Sequence, residues 1–389
     1  MQIVLFMRSN ISFNNAPSVY VKRIAEGLVM NGVDVAVFCY TKDYSWNSVV
    51  INGVKYQSST FGIARSKNAA YRKLKYYYAQ NVLLIKWLRR TLLKTENKAV
   101  IDVTKANLSS VKVMLATKLL NTDYYWNLGE HPYTEPKTVA KRLSVFLLAK
   151  LSTGLMCNTS SLAKFINHRN CIIQPPTIDY SECQYDISEV ANPLFTIGYC
   201  GTLTTEKDGL IILLDSIAAL DISIRERVRL VIIGDSAKGD KGLSYFVEMA
   251  KSKGVSNTLF TGKIPNEKVL PMLRECDLLI LTRPDNFQNR YGFPSKLPEY
   301  LATGKPVLIT AVSDIPMYLA DKKNAYLLNT CDVLEISDCI KHIMHHREEA
   351  NQVGKNGLQV ARNVFSNKIQ GMKLLDFMTK TGTLERDCT

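Results

Sequence analysis

Residues 283–310 read RPDNFQNRYGFPSKLPEYLATGKPVLIT. An apolar strand over 278–282 leads into this stretch, a polar loop follows, and a second strand begins at Val307. Between the strands, two prolines define a short helix. Pro298 lacks an N–H and fits only in a first turn, where that donor would be unpaired anyway. Ser295 is therefore the expected N-cap, and Gly304 with Pro306 the stop. Strand, loop, helix and strand in this order make a parallel crossover unit whose helix starts at the C-terminal edge of the first strand. Free N–H groups gather there, Lys296 adds a full charge, and the spot favours an anion. Leu297, Tyr300 and Leu301 recur at i, i+3, i+4 and are expected in the core, whereas Glu299 lies about 200° from Leu297 around the helix. A carboxylate beside an anion site is repelled by the ligand unless it accepts hydrogen bonds from it. A ribose diol supplies two such donors, so the arrangement suits a nucleotide.

The same alternation extends in both directions. Strand-like runs at 195–200, 229–234, 258–261, 277–282, 307–310 and 325–328 are interleaved with helical patterns from Asp208 and over 243–252. Earlier runs lie at 2–7, 34–40, 99–103, 123–128, 154–158 and 171–174. A helix from about Ser18 has the stripe Val21, Ile24, Ala25, Leu28, Val29. Pro175-Pro176 and the polar run to Pro193 read as a linker. The prediction is an α/β protein with two Rossmann-like domains facing across a cleft, residues 1–180 and 181–365, followed by a helix and tail at 366–389.

Composition narrows the class. Hydrophobic content of 46% and charged content of 22% are globular values. The first apolar run, 2–7, is too short for a signal peptide, and the longest, 143–157, is interrupted by Lys150 and too short to span a bilayer. Nine cysteines without C-x-x-C spacing indicate reduced thiols in the cytoplasm. Residues 1–180 hold 24 Lys and Arg against 9 Asp and Glu, while 181–389 hold 25 against 26, so the net +14 lies entirely in the first half. One-sided basicity points to one domain meeting an anionic surface.

The string from Glu299 through Leu301-Ala302-Thr303-Gly304-Lys305-Pro306-Val307 resembles the donor motif of GT-B glycosyltransferases of the family-four type. That motif runs Glu, seven residues, Glu, then A-x-G-x-P-V. Gly292-Phe293-Pro294-Ser295-Lys296-Leu297-Pro298-Glu299-Tyr300 is similar to a subgroup common among surface-polysaccharide enzymes. The resemblance implies a retaining, nucleotide-sugar-dependent transferase in which Gly292, Phe293, Ser295, Lys296 and Glu299 meet the donor. The first motif Glu, a contact to the donor sugar, is Tyr291 here. After the first strand of the second domain, Gly201, Thr202 and Lys207 stand where the family has G-[RS]-L-x-x-x-K-G. Thr202 replaces the family's pyrophosphate arginine, leaving Arg283 and Arg290 as candidate replacements. Ile264, in Gly262-Lys-Ile-Pro265, matches the stretch that holds the base. The resemblance also implies that the last helix returns to the first domain.

In the first domain, Glu130 and His131 follow a strand end and are candidates to bind or deprotonate acceptor hydroxyls; a turn cap is the alternative. Asn10, Asn14 and Asn15 stand where many relatives have a glycine-rich turn. Thr205 with Asp208 reads as a capping box. His342, His345 and His346 read as a solvated helix face. The chain has no D-x-D and no P-loop string, so the expected reaction needs no metal and no cofactor, the nucleotide-sugar being a substrate. Residues 65–98 carry ten Lys and Arg with one Glu, interleaved with Tyr71, Tyr76, Tyr77, Tyr78 and Trp87. This segment reads either as an interfacial helix on anionic lipid or as an ordinary solvated helix. The expectation is a cytoplasmic glycosyltransferase, peripheral on the inner membrane face, with a lipid-linked or oligosaccharide acceptor and no nucleic acid. The alternatives are a non-catalytic nucleotide-sugar-binding subunit of another transferase and a nucleotide-sugar 2-epimerase.

Overall fold

The computed structural model describes residues 1–7, 16–40, 48–59, 71, 84–92, 97–133, 138–184, 193–236 and 241–383. The chain divides into two compact units, Met1–Thr177 with Asn367–Thr389, and Ile178–Ser366.

Among the described residues the first unit has eight strands: β1 (Gln2–Met7), β2 (Asp34–Tyr40), β3 (Val49–Ile51), β4 (Val54–Ser59), β5 (Lys98–Asp102), β6 (Asp123–Leu128), β7 (Gly154–Cys157) and β8 (Cys171–Ile173). Their order is β3-β4-β2-β1-β5-β6-β7-β8, and every pairing is parallel except β3 with β4. The β3–β4 hairpin escaped the sequence reading. Its signal was present, because Asn52-Gly53 adopts the positive φ angles of 49° and 77° that tight hairpin turns favour.

The helix Ala16–Val29 buries Val21, Ile24, Ala25 and Leu28 in this core. Leu374 and Met378 of the helix Asn367–Thr381 join the same core, so the end of the described chain belongs to the first unit. The two helices cross closely at glycines. A Cβ added at Gly27 would collide with the backbone of Asn367, and one at Gly371 with the backbone of Gly27.

Among its described residues the second unit has six strands, all parallel: β9 (Phe195–Cys200), β10 (Val228–Ile233), β11 (Thr258–Phe260), β12 (Leu278–Leu281), β13 (Val307–Thr310) and β14 (Tyr326–Leu328). The order β11-β10-β9-β12-β13-β14 is the 3-2-1-4-5-6 winding of a Rossmann sheet. Its direction reverses between β9 and β12, and in such sheets ligands bind beyond the C-terminal ends of the two strands at that reversal. Both strands are wholly buried, as parallel strands covered on two faces must be.

Replacing Gly371 by Val forces the two helix backbones apart, and overpacking of this kind costs about 1–3 kcal/mol. The expected result is a lower urea midpoint for the first unit. An unchanged midpoint would show that the crossing is not tight in solution.

Candidate functional site

The loops leaving β9 and β12 are joined below their surfaces. Arg283, directly after Thr282 at the end of β12, is 3% exposed, and its Nε lies 3.2 Å from Asp208 Oδ1 in the β9 loop. This is an ion pair without hydrogen-bond alignment at Nε. The other end of the guanidinium donates to Asn289 Oδ1. Asn289, fully buried, donates in turn to the carbonyls of Lys207 and Pro284, each at 2.8 Å. Asn286 caps the helix Phe287–Tyr291 by accepting from Asn289 N, and donates to Glu206 O at 3.2 Å. Tyr199 Oη donates to Asp208 Oδ2 at 3.3 Å. Burial pulls the Arg283 pKa below its ordinary value while Asp208 opposes the shift, and burial also pushes the Tyr199 hydroxyl upward.

Gly209 completes the joint. Its φ is +64°, and an added Cβ would collide with the Thr282 carbonyl, to whose residue the Gly209 carbonyl also binds through Thr282 Oγ1 at 3.0 Å. The expected capping box at Thr205 is not what forms. The helix is Leu210–Ala218, with Gly209 as its N-cap and no side-chain cap bond, because Asp208 is drawn to Arg283 instead.

The helix Leu297–Ala302 is held against the end of β9 through Tyr300. Cys200 N donates to Tyr300 Oη, which donates to Cys200 O at 3.3 Å. Leu297, Tyr300 and Leu301 are completely buried, as their spacing required. The N-cap is Lys296, not Ser295, and its carbonyl accepts the first helical bond, from Tyr300 N at 2.9 Å. Pro298 tolerates any position of the first turn, so it alone could not fix the cap; the tight turn from Pro294 O to Leu297 N decides it. Lys296 Nζ lies 2.8 Å from Glu299 Oε2, with the two side chains 28% and 12% exposed. Burial pushes the neighbouring Cys200 thiol up to about 11, Lys296 partly opposing it.

The remaining second-unit candidates divide by exposure. Lys207, Gly201 and Gly292 are half-buried, and Thr202 and Ser295 are exposed. Ile264 packs partly against the core beyond Gly262. Phe293 is buried among Tyr318 and Phe365, with ring centroids 5.7 and 5.8 Å away. Arg290 makes a two-pronged bond to Asp285 at 2.7 and 2.9 Å, and Tyr291 leans on Phe287 at 5.0 Å. Both arginines considered as replacements for the missing cation therefore already have carboxylate partners. Asp208 and Asn289, which bind the two loops together, were not singled out as site residues. Their signal lies in topology, an acid and an arginine following two strands that become neighbours only in the 3-2-1-4-5-6 order.

In the first unit, Glu130 is half exposed and pairs with Lys105 at 2.7 Å. His131 is buried against Phe165 at 4.3 Å, and its Nδ1 accepts from Tyr133 N at 3.2 Å. That bond is the turn-capping alternative. The asparagine loop at 10–15 lies outside the described residues, as does most of 65–98 apart from Tyr71, 84–92 and 97–98. His342 and His346 stack at 4.3 Å, and His342 lies 3.9 Å from Glu349. Among the described residues no three His, Cys, Asp or Glu side chains gather as a metal set.

A sheet wound 3-2-1-4-5-6, with lysines and a carboxylate in the loops at its reversal, in a chain that also has a second, mostly parallel-sheet unit, has counterparts among solved structures. The fold is that of the GT-B glycosyltransferases. Residues 186–360 match the family profile described as Glycosyl transferases group 1, a span that contains the whole second-unit site. HepE of Anabaena in complex with UDP is 13% identical, covers 98% of this chain and 100% of its own, and superposes with a TM-score of 0.71. Sucrose-phosphate synthase of Thermosynechococcus elongatus is 11% identical, with coverages of 97% and 98% and a TM-score of 0.71. WaaG, a glycosyltransferase involved in lipopolysaccharide biosynthesis, is 18% identical, with coverages of 97% and 99% and a TM-score of 0.62. No curated protein matches the chain.

Replacing Arg283 by Met leaves the Asp208 carboxylate unpaired in a largely buried place, a change that typically costs about 3–5 kcal/mol. The double variant with Asp208→Asn should recover part of that loss in a denaturation series. Strict additivity of the two would mean that they do not interact.

Proposed function

We propose that the protein transfers a sugar from a nucleoside-diphosphate-sugar, bound at the β9–β12 reversal, to a lipid-linked or oligosaccharide acceptor in surface-polysaccharide synthesis. The observation that carries this reading is the Asp208–Arg283–Asn289 joint, which holds Lys207 in the β9 loop beside the loop leading to Lys296 and Glu299. The match of residues 186–360 to Glycosyl transferases group 1 supports it. HepE, a protein of the same fold, has been solved with UDP-glucose, which favours a nucleotide-sugar donor here as well.

In this scheme Lys207 and Lys296 face the diphosphate and oppose the negative charge that builds as the glycosidic bond breaks. Glu299 accepts from the ribose hydroxyls. Its ion pair with Lys296 then exchanges, the carboxylate turning to the diol and the ammonium to phosphate. Retention of configuration is part of the proposal, with the leaving phosphate oxygen taking the acceptor proton, so that no separate base is required. Glu130 and His131 are assigned to the acceptor side. The location proposed is cytoplasmic, on the inner membrane face; no described helix is long and apolar enough to cross a membrane.

A second reading has its own observation. Tyr291, packed on Phe287, stands in place of the sugar-binding Glu of the motif, which would suit a subunit that binds nucleotide-sugar and assists another transferase. Slow donor hydrolysis or transfer by the purified chain separates the two, since the assisting subunit turns over nothing alone.

Glu299→Gln should weaken UDP-sugar binding roughly ten- to hundredfold, the worth of hydrogen bonds to a charged acceptor. Unchanged calorimetric affinity in the folded variant would remove Glu299 from the site. Lys207→Ala and Lys296→Ala should weaken UDP far more than uridine, and equal losses for both ligands would place the lysines away from phosphate. Turnover should survive EDTA, because no D-x-D string is present to hold a catalytic metal. Loss in EDTA with recovery in Mn²⁺ or Mg²⁺ would overturn that part of the scheme.

A further inference from the structure

Two helices of the first unit expose matching stripes. On Leu108–Leu119 the exposed Leu108, Lys112, Leu115 and Leu119 recur at i, i+4, i+7, i+11 and lie within about 60° of one another around the axis. On Val139–Leu151 the exposed Val139, Leu143, Phe146 and Lys150 repeat the same spacing. The two helices pack against each other, and the sides away from the stripes are buried through Val113 and Met114 on one and Val145 and Leu148 on the other. Leu119 is 86% exposed, Val139 83% and Phe146 57%, so a hydrocarbon face lies open where a solvated helix would be polar.

The charge on these helices has one sign. Lys112, Lys118, Lys141, Arg142 and Lys150 are present, and neither helix contains an Asp or Glu. Lys150 Nζ sits 5.7 Å from the centroid of the Phe146 ring, inside the apolar stripe. Long lysine stems can lie along such a stripe with their ammonium groups reaching outward.

We propose that this two-helix face docks the protein on an anionic lipid surface. Its occupant must accept apolar side chains and supply many interchangeable negative charges, and acidic headgroups above acyl chains supply both. A second copy of the chain would set five cations against five. The face is formed by none of residues 65–98, and the proposal does not depend on the transferase reading, because lipid binding is measured without any sugar substrate.

The test is sedimentation of the full chain with vesicles of phosphatidylcholine alone and of phosphatidylcholine with phosphatidylglycerol. The protein should pellet only with the anionic vesicles. Each removed cation should reduce partitioning roughly fivefold at low salt, and Leu115→Ser with Phe146→Ser should reduce it roughly tenfold or more. Both serines replace exposed side chains, so an unchanged melting temperature is expected and checks the fold. Wild-type protein that stays in the supernatant with anionic vesicles would overturn the proposal. So would undiminished binding by the Lys112→Glu, Lys150→Glu, Leu115→Ser, Phe146→Ser variant, particularly if Lys86→Glu, Arg89→Glu, Arg90→Glu abolished it instead. A concentration-dependent dimer dispersed by the serine changes would assign the face to a second copy and likewise overturn it.

Discussion

The ion pair between Arg283 and Asp208 is the constraint on which the second unit's working edge depends. A parallel sheet leaves its loops free at the C-terminal ends of the strands, and nothing in strand pairing fixes one loop against the next. Here a buried guanidinium spans the gap, and Asn289 extends the link to the main chain at Lys207. Burying two charges is costly, and a pair of this kind is weak support for stability in itself. Its value is geometric. It sets the path of the β9 loop relative to the β12 loop, so the positions of flexible lysine side chains follow from a rigid joint beneath them.

Both arginines that follow β12 in this loop are held by carboxylates. A guanidinium committed to Asp208, and another held two-pronged by Asp285, leave the lysines as the more adaptable cations of this edge. Lysine suits that task, being a compact charge on a mobile stem, whereas arginine's planar fork rewards a fixed partner. The Lys296–Glu299 contact is of a different character from the arginine joint. It is local, i to i+3, and partly exposed, so it holds its partners less firmly than the buried guanidinium holds Asp208.

Much of this was legible in the sequence because it followed from period and stereochemistry. The alternation of apolar runs with helical stripes gave two parallel sheets, and the 297, 300, 301 spacing identified the buried side of the short helix. The errors came from competition between partners. Ser295 and Thr205 are good caps in isolation, but a turn from Pro294 and the pull of Arg283 on Asp208 produced other starts. Phe293 is a donor candidate from its place in a motif, and the packing of its ring among Tyr318 and Phe365, supplied by distant parts of the chain, leaves its backbone for that role. Asn289 was invisible for a similar reason. Its importance depends on carbonyls brought together by strand order, and no local pattern reports those.

The crossing of Ala16–Val29 with Asn367–Thr381 has a consequence for biosynthesis. The first unit cannot complete its core until Leu374 and Met378 have been synthesised, although its sheet is finished by β8. The second unit is one uninterrupted segment whose ends already meet, Ile178 N donating to Phe365 O at 2.9 Å. On a ribosome the later segment can therefore close first, while the earlier one waits with the underside of its first helix uncovered. Arg23 on that helix binds Thr177 O, and Gly27 abuts Asn367, so both points where the chain leaves and re-enters the first unit converge on one helix face. The last helix to be made is thus the one that closes the unit begun first.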